Sequence, residues 1–115
     1  MGDVVIKKSK IGQFKTIGIG DGIFANRNFK KGEIVIKYNL KHLTPGEFEN
    51  LPESEKEFTH SHFGKIYLYS IPERYVNHSS NPNTIQDIKK RCDIALRNIK
   101  KGEEITTDAA KDDTL

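Results

Sequence analysis

The densest run of chemically capable side chains in this chain is ERYVNHSSNPNT, positions 73 to 84. Asn77, His78 and Ser79, followed by Asn81, Pro82 and Asn83, set amides, an imidazole and a hydroxyl side by side behind an apolar entry at Tyr75 and Val76. Such a segment can hold a polar ligand through paired donors and acceptors. It can equally be a turn whose side chains satisfy its own backbone, as Asn-Pro-Asn favours. A second stretch, GIGDGIFA, puts Gly18, Gly20 and Gly22 at alternate positions. A dinucleotide loop would need G-x-G-x-x-G opening a helix, and neither condition is met. Glycines at this spacing let a backbone pass close to a ligand or to another strand. His60 and His62, in THSH, offer two imidazoles on one side of a strand, which is a start for a metal site. With no third ligand in sight they read as surface residues, and no metal is expected. Cys92 is the only cysteine. That excludes an internal disulfide and any zinc site needing two thiolates, and as a lone thiol it reads as a small packed hydrophobe.

These groups need elements to position them, and the pattern favours strands. EIVIKYNL places Ile34, Ile36, Tyr38 and Leu40 on one face at period two, and DIALRNI does the same with Ile94 and Leu96. Tyr67 and Tyr69, in IYLY, suit either a core strand or the wall of a site. A repeat then stands out: RNFKKGEIV at 27–35 returns as RNIKKGEEI at 97–105. Each copy runs Arg-Asn, one apolar residue and Lys-Lys-Gly-Glu, where the glycine can take the positive φ of a tight turn. Two related β-hairpin units are therefore expected to flank a variable insert from about 41 to 72, all within a single domain spanning 1–115. Thr44, Pro45 and Glu47 make a capping-box helix start with Phe48 and Leu51 behind it. The expectation is a mostly β chain with one or two short helices.

Composition bounds the rest. With 35% hydrophobic and 30% charged residues the chain reads as an ordinary soluble globule. No apolar run approaches the roughly 18 residues of a membrane helix, so no membrane is expected as a partner. The amino end, MGDVVIKKSK, shows neither the apolar region nor the cleavage site of a secretory signal, and an intracellular location, cytoplasmic or nuclear, is expected. Net charge is +3, but positions 46–57 and 103–115 together hold ten acidic residues against two lysines, so the remainder carries +11. Acidic segments in a basic chain can attract a cationic partner or can be solvated loops. A small basic nucleic-acid binder is disfavoured, because aromatics are only 9% and no stacking pattern or recognition helix is visible.

The motifs GDGIFA at 20–25, RYVNHSSNPN at 74–83 and GEEITTD at 102–108, in that order, resemble the SET domain of protein-lysine methyltransferases. The middle motif is the most specific, and the size resembles that of minimal viral and bacterial members. The resemblance implies a β-clip of short curved sheets with a carboxyl-terminal pseudoknot, in which residues 74–79 thread beneath a loop of the last motif. It implies S-adenosylmethionine as cofactor and a lysine in a basic protein or peptide, such as a histone-like tail, as substrate. Carried over by position, Ile19, Gly20, Asp21 and Gly22 would lie against the cofactor, with Asn77 and His78 binding it from the knot. Arg74 belongs to the same set, with anchoring of the knot its more natural role. Tyr38 aligns with a tyrosine that lines the lysine channel.

The chain departs from the family pattern at one point. The last motif of the family reads E-[LI]-x-x-x-Y, and EITTDA places Ala109 where the principal catalytic tyrosine stands. The chain also stops without the cysteine-rich post-SET segment that completes the channel in many relatives. The resemblance thus implies a methyltransferase impaired at residue 109, whether by natural decay or by a deliberate change. A non-catalytic module that binds cofactor or peptide is the alternative, and a second copy of the chain could close a channel left open, giving a homodimer.

Overall fold

Gly32 and Gly102 hold φ at 90° and 95°, the left-handed region a Cβ disfavours, in a computed structural model that describes residues 2–10 and 20–108. Both repeat copies are thus tight turns, and they pack against each other about a pseudo-twofold axis. Phe29 N–H donates to Ile99 O at 2.8 Å and Ile99 N–H donates back at 2.9 Å. Gly32 N–H reaches Ala95 O at 2.9 Å while Gly102 N–H reaches Ala25 O at 2.8 Å. Asn28 and Asn98 complete the exchange, each accepting through Oδ1 from the other copy's lysine amide, Lys101 at 2.8 Å and Lys31 at 3.0 Å.

Among the described residues ten strands surround this centre: β1 (Val4–Ser9), β2 (Gly20–Ala25), β3 (Ile34–Lys37), β4 (Lys41–Leu43), β5 (Thr59–His62), β6 (Lys65–Leu68), β7 (Asn77–His78), β8 (Thr84–Asp87), β9 (Cys92–Ala95) and β10 (Glu104–Thr107). They form three sheets ordered β1-β2-β10-β7, β3-β9-β8 and β4-β6-β5. The repeat copies are not hairpins, as the sequence suggested. β2 and β3 lie in different sheets, and so do β9 and β10. Each turn hands the chain from one sheet to another, and its glycine amide bonds to the end of the strand that precedes the other copy, Ala95 of β9 for Gly32 and Ala25 of β2 for Gly102. The hairpins instead join β5 to β6 and β8 to β9.

The strand faces also differ from the period-two expectation. A bulge between Ile34 and Ile36 inserts one residue and rotates the strand, as bulges do. Val35 and Ile36 are both buried, while Ile34 is 44% exposed. On β9 Ile94 is only partly buried and Leu96 just beyond it is exposed, whereas Cys92, Asp93 and Ala95 are buried. The core gathers Val4, Ile23, Ala25, Phe29, Val35, Ile36, Ala95, Ile99 and Ile105, with Tyr38, Tyr75 and Val76 packed at its border.

The insert carries the third sheet and two short helices, α1 (Pro45–Glu49) and α2 (Glu53–Lys56). α1 begins at the expected capping box: Glu47 N–H donates to Thr44 Oγ1 at 3.2 Å, and Glu47 Oε1 accepts from Thr44 N–H at 3.0 Å. Neither helix buries a side chain fully. Among the described residues no helix is long and apolar enough to cross a membrane.

Candidate functional site

β7 is only two residues long, and it pairs in parallel with β10, matching Asn77 to Thr106 and His78 to Thr107. The 3-10 turn Glu73–Tyr75 delivers it there. Since β10 also pairs with β2, the glycine motif, the Asn-His motif and the carboxyl-terminal motif converge on one strand. Parallel neighbours cannot be joined by a tight turn. The chain therefore travels through β8, β9 and the second repeat turn before it comes back alongside.

Glu104 is the hub of this convergence. Its Oε1 accepts from Ser9 Oγ at 2.6 Å and its Oε2 from Asn77 Nδ2 at 2.8 Å. The Asn77 amide also donates to Asp21 O at 3.0 Å, so β1, β2, β7 and β10 share one polar knot. Gly22 stands beside it. A Cβ there would meet Glu104 Oε2 at 2.5 Å, Ser9 Cβ at 2.7 Å and Asn77 Nδ2 at 3.0 Å. Of the two uses open to this glycine, close packing of strands is the one realised at its Cβ position. Sequence reasoning missed Glu104 and Ser9. A signal existed: the repeat copies differ where RNFKKGEI has Ile34 and RNIKKGEE has Glu104.

Asn83 was also underestimated. It is buried, and its side chain acts as a short strand for β10: Nδ2 donates to Glu104 O at 2.7 Å and Oδ1 accepts from Thr106 N–H at 2.9 Å. The segment thus satisfies the backbone of a distant strand as well as its own, since Asn81 N–H donates to Ser79 Oγ at 3.1 Å. His78 turns toward solvent, with Nδ1 3.7 Å from Asp108 Oδ1. Gly20 and Asp21 open β2 on the same side, and Lys8 Nζ lies 3.4 Å from the Asp21 carboxylate. Ile19 and Ala109 fall outside the described residues.

Arg74 and Tyr38 are committed to contacts within the protein. The Arg74 guanidinium forks onto Glu55 at 3.0 and 3.1 Å, donates through Nε to Tyr69 O at 2.9 Å, and lies 4.5 Å over the Phe58 ring. It ties the insert to the turn that launches β7. The Tyr38 hydroxyl donates to buried Asp93. Burial, and next the Asp93 carboxylate, push this phenol far above its ordinary range, so it stays protonated. Its ring lies 5.7 Å from that of Tyr69, whose hydroxyl meets His62 Nε2 and Gln86 Nε2, each at 2.6 Å. His62 is therefore an interior residue, not a surface one. Among the described residues no group of three or more His, Cys, Asp or Glu could hold a metal ion. Burial raises the Cys92 thiol above its ordinary range, which suits the packed role expected of it. An open depression of about 300 Å³ lies elsewhere, between Asp3, Val35, Lys37 and Pro72.

Comparison with known proteins agrees with this geometry. The SET domain profile matches residues 20–108. A histone-lysine N-methyltransferase of Arabidopsis thaliana is 34% identical over 125 aligned positions, covering 90% of this chain and 32% of that protein. The variant-silencing SET domain-containing protein of Plasmodium falciparum is 30% identical over 112 positions, covering 80% of this chain and 4% of that protein. The chain thus spans about a third or less of these curated relatives. Among solved structures, a Plasmodium falciparum protein described as a candidate histone methyltransferase gives a TM-score of 0.70 at 21% identity, over 95% of this chain and 94% of that one. A chain of the Chaetomium thermophilum Polycomb Repressive Complex 2, a humanized mutant with an inhibitor bound, gives 0.72 at 22% identity over 97% of this chain and 16% of that one. At such identities the likeness speaks for the fold alone.

Proposed function

This chain belongs to the SET domain family, and on that premise we propose an S-adenosylmethionine-dependent protein-lysine N-methyltransferase that acts inside the cell on a lysine in a basic, histone-like tail. One observation carries the reading: the opening of β2 at Gly20 and Asp21, the Asn77–His78 pair and Asp108 meet around β10 although they are far apart in sequence.

The residues present fit such a cofactor. Asn77 has given its amide hydrogens to Asp21 O and Glu104, which leaves Oδ1 as an acceptor suited to an ammonium group. Asp21, Glu104 and Asp108 make this edge rich in carboxylates, favourable for a cationic donor and a cationic substrate. Gly20, Asp21, Asn77 and His78 would hold the cofactor, which when bound supplies a methyl group on a sulfonium. What the chain itself must do is align a neutral lysine. With a reference pKa near 10.4, keeping that amine neutral at pH 7 costs roughly 4.6 kcal/mol. Desolvation in a narrow channel and a neighbouring positive charge both lower that cost.

Alignment is where this chain is deficient. The Tyr38 ring can line a channel, but its hydroxyl is held by Asp93, and residue 109 is alanine. We expect Ala109→Tyr to raise transfer of labelled methyl to a histone mixture by about a hundredfold, the scale of a misplaced reacting group. S-adenosylhomocysteine should bind both forms in calorimetry. Absence of that binding would sink the reading. Binding without turnover in either form would establish the second one, a cofactor-binding module, which the alanine at 109 favours.

A further inference from the structure

Four lysines lie on two turns that are seventy positions apart in sequence and adjacent in the fold. Lys30 and Lys31 lie on the first repeat turn, Lys100 and Lys101 on the second, and the pseudo-twofold exchange of Phe29 with Ile99 and of Asn28 with Asn98 sets the two turns side by side. All four lysines are exposed. The acids nearby are taken by arginines: Arg27 pairs with Asp3 at 3.3 Å and Glu33 at 3.0 Å, and Arg97 with Glu103 at 3.0 Å. Each of these carboxylates is thus shared with an arginine, and only Glu33 also acts electrostatically on one of the four lysines, Lys30.

We propose that the paired turns are a contact surface for the phosphate backbone of duplex DNA. Phosphate contact needs neither a recognition helix nor aromatic stacking, only cations that displace condensed counterions. The apolar residue within each turn, Phe29 or Ile99, is buried, and the exposed apolar side chains Ile34 and Leu96 lie on the flanking segments, so the turns themselves present lysines, with no apolar side chain to insert into a membrane and no ring on which unpaired bases could stack. Those features favour duplex over lipid and over single strands. Placement agrees. Ala25, at the far end of β2, is bonded to the second turn, while Asp21 near its other end accepts from the Asn77 amide. A six-residue strand spans about 20 Å, so duplex on the turns does not cover the Asn77–His78 edge, where a protein tail would lie. The inference deepens the proposed function, on which it rests for the idea that the tail is presented on DNA; the cationic surface itself stands independently.

Anisotropy of a short labelled duplex across a salt series tests this. Four lysine contacts at about 0.9 each predict a slope of log K on log salt of about −3.6, or roughly a hundredfold loss of affinity between 50 and 200 mM. The K30E/K31E/K100E/K101E variant should abolish the slope. K30E/K31E and K100E/K101E should each halve it, because the turns are equivalent. K89E/K90E, the same charge change as either pair but on the exposed turn between β8 and β9, should leave it unchanged. If the four-glutamate variant does not fold, the corresponding four-glutamine variant carries the same expectation. The proposal is overturned by a slope near zero in the unmodified chain, by K89E/K90E weakening binding as much as a turn pair, or by tighter binding to anionic vesicles or single-stranded DNA. Methyl transfer to a free basic peptide, measured in the Ala109→Tyr background, should not respond to the lysine changes. Its absence in every form, with duplex binding intact, would remove the enzyme reading and leave this surface standing.

Discussion

Gly22 shows how one residue type serves a requirement that several distant residues create together. Ser9, Asn77 and Glu104 crowd the space a Cβ would occupy, and two of the three crowding atoms belong to the hydrogen bonds that join the four strands. Gly22→Ala should therefore cost about 1–3 kcal/mol, the range for overpacking a closed site. Gly46→Ala, where nothing lies within 4 Å of the added carbon, serves as the reference. Urea midpoints decide it: if the two variants unfold together, the knot around Glu104 is looser than its distances imply. The same scale separates the motif residues. Asn77 keeps an acceptor to offer, whereas Arg74 and the Tyr38 hydroxyl spend their bonding capacity inside the protein.

Among the elements, the repeat turns are the clearest case of local sequence fixing local structure. Glu33 and Glu103 both titrate below the ordinary carboxylate range: Glu33 chiefly through its bond with Arg27, Glu103 chiefly through the Lys100 amide. Gly32 and Gly102 have open space around the missing Cβ, so substitution there probes backbone conformation alone. Gly32→Ala and Gly102→Ala should each cost about 1–2 kcal/mol, the penalty of a left-handed L-residue, and should do so equally. Thermal unfolding of the two variants is the check, and a clear inequality would show that the pseudo-twofold relation is not energetic. The strands were less legible. Alternation located β3 and β9, but on β3 a bulge decided which side chains are buried, and on β9 Ile94 is only partly buried. A one-residue change of register exchanges the faces of a strand, and period-two reading cannot see one.

At the scale of the molecule, among the described residues the insert sheet β4-β6-β5 shares no strand pairing with the other two sheets. It is fastened by side chains, chiefly Arg74 to Glu55 and Tyr69 to Gln86. Arg74→Ala should leave β1, β2 and β10 protected from hydrogen exchange while protection falls across residues 53–62. Uniform loss throughout the chain would show instead that the insert and the main sheets unfold as one unit. What the sequence determined by itself was whatever is encoded by neighbours: the capping box of α1, the glycine turns, the β class, and the three motifs that identify the family. Only the tertiary structure decided that the turns cross between sheets, that Glu104 binds Ser9 and Asn77 together, and that the two lysine-bearing turns lie side by side. Those facts depend on parallel pairing of β7 with β10 and on the meeting of two turns seventy positions apart. Such contacts close long loops, and their free energy comes from partners that no local pattern names.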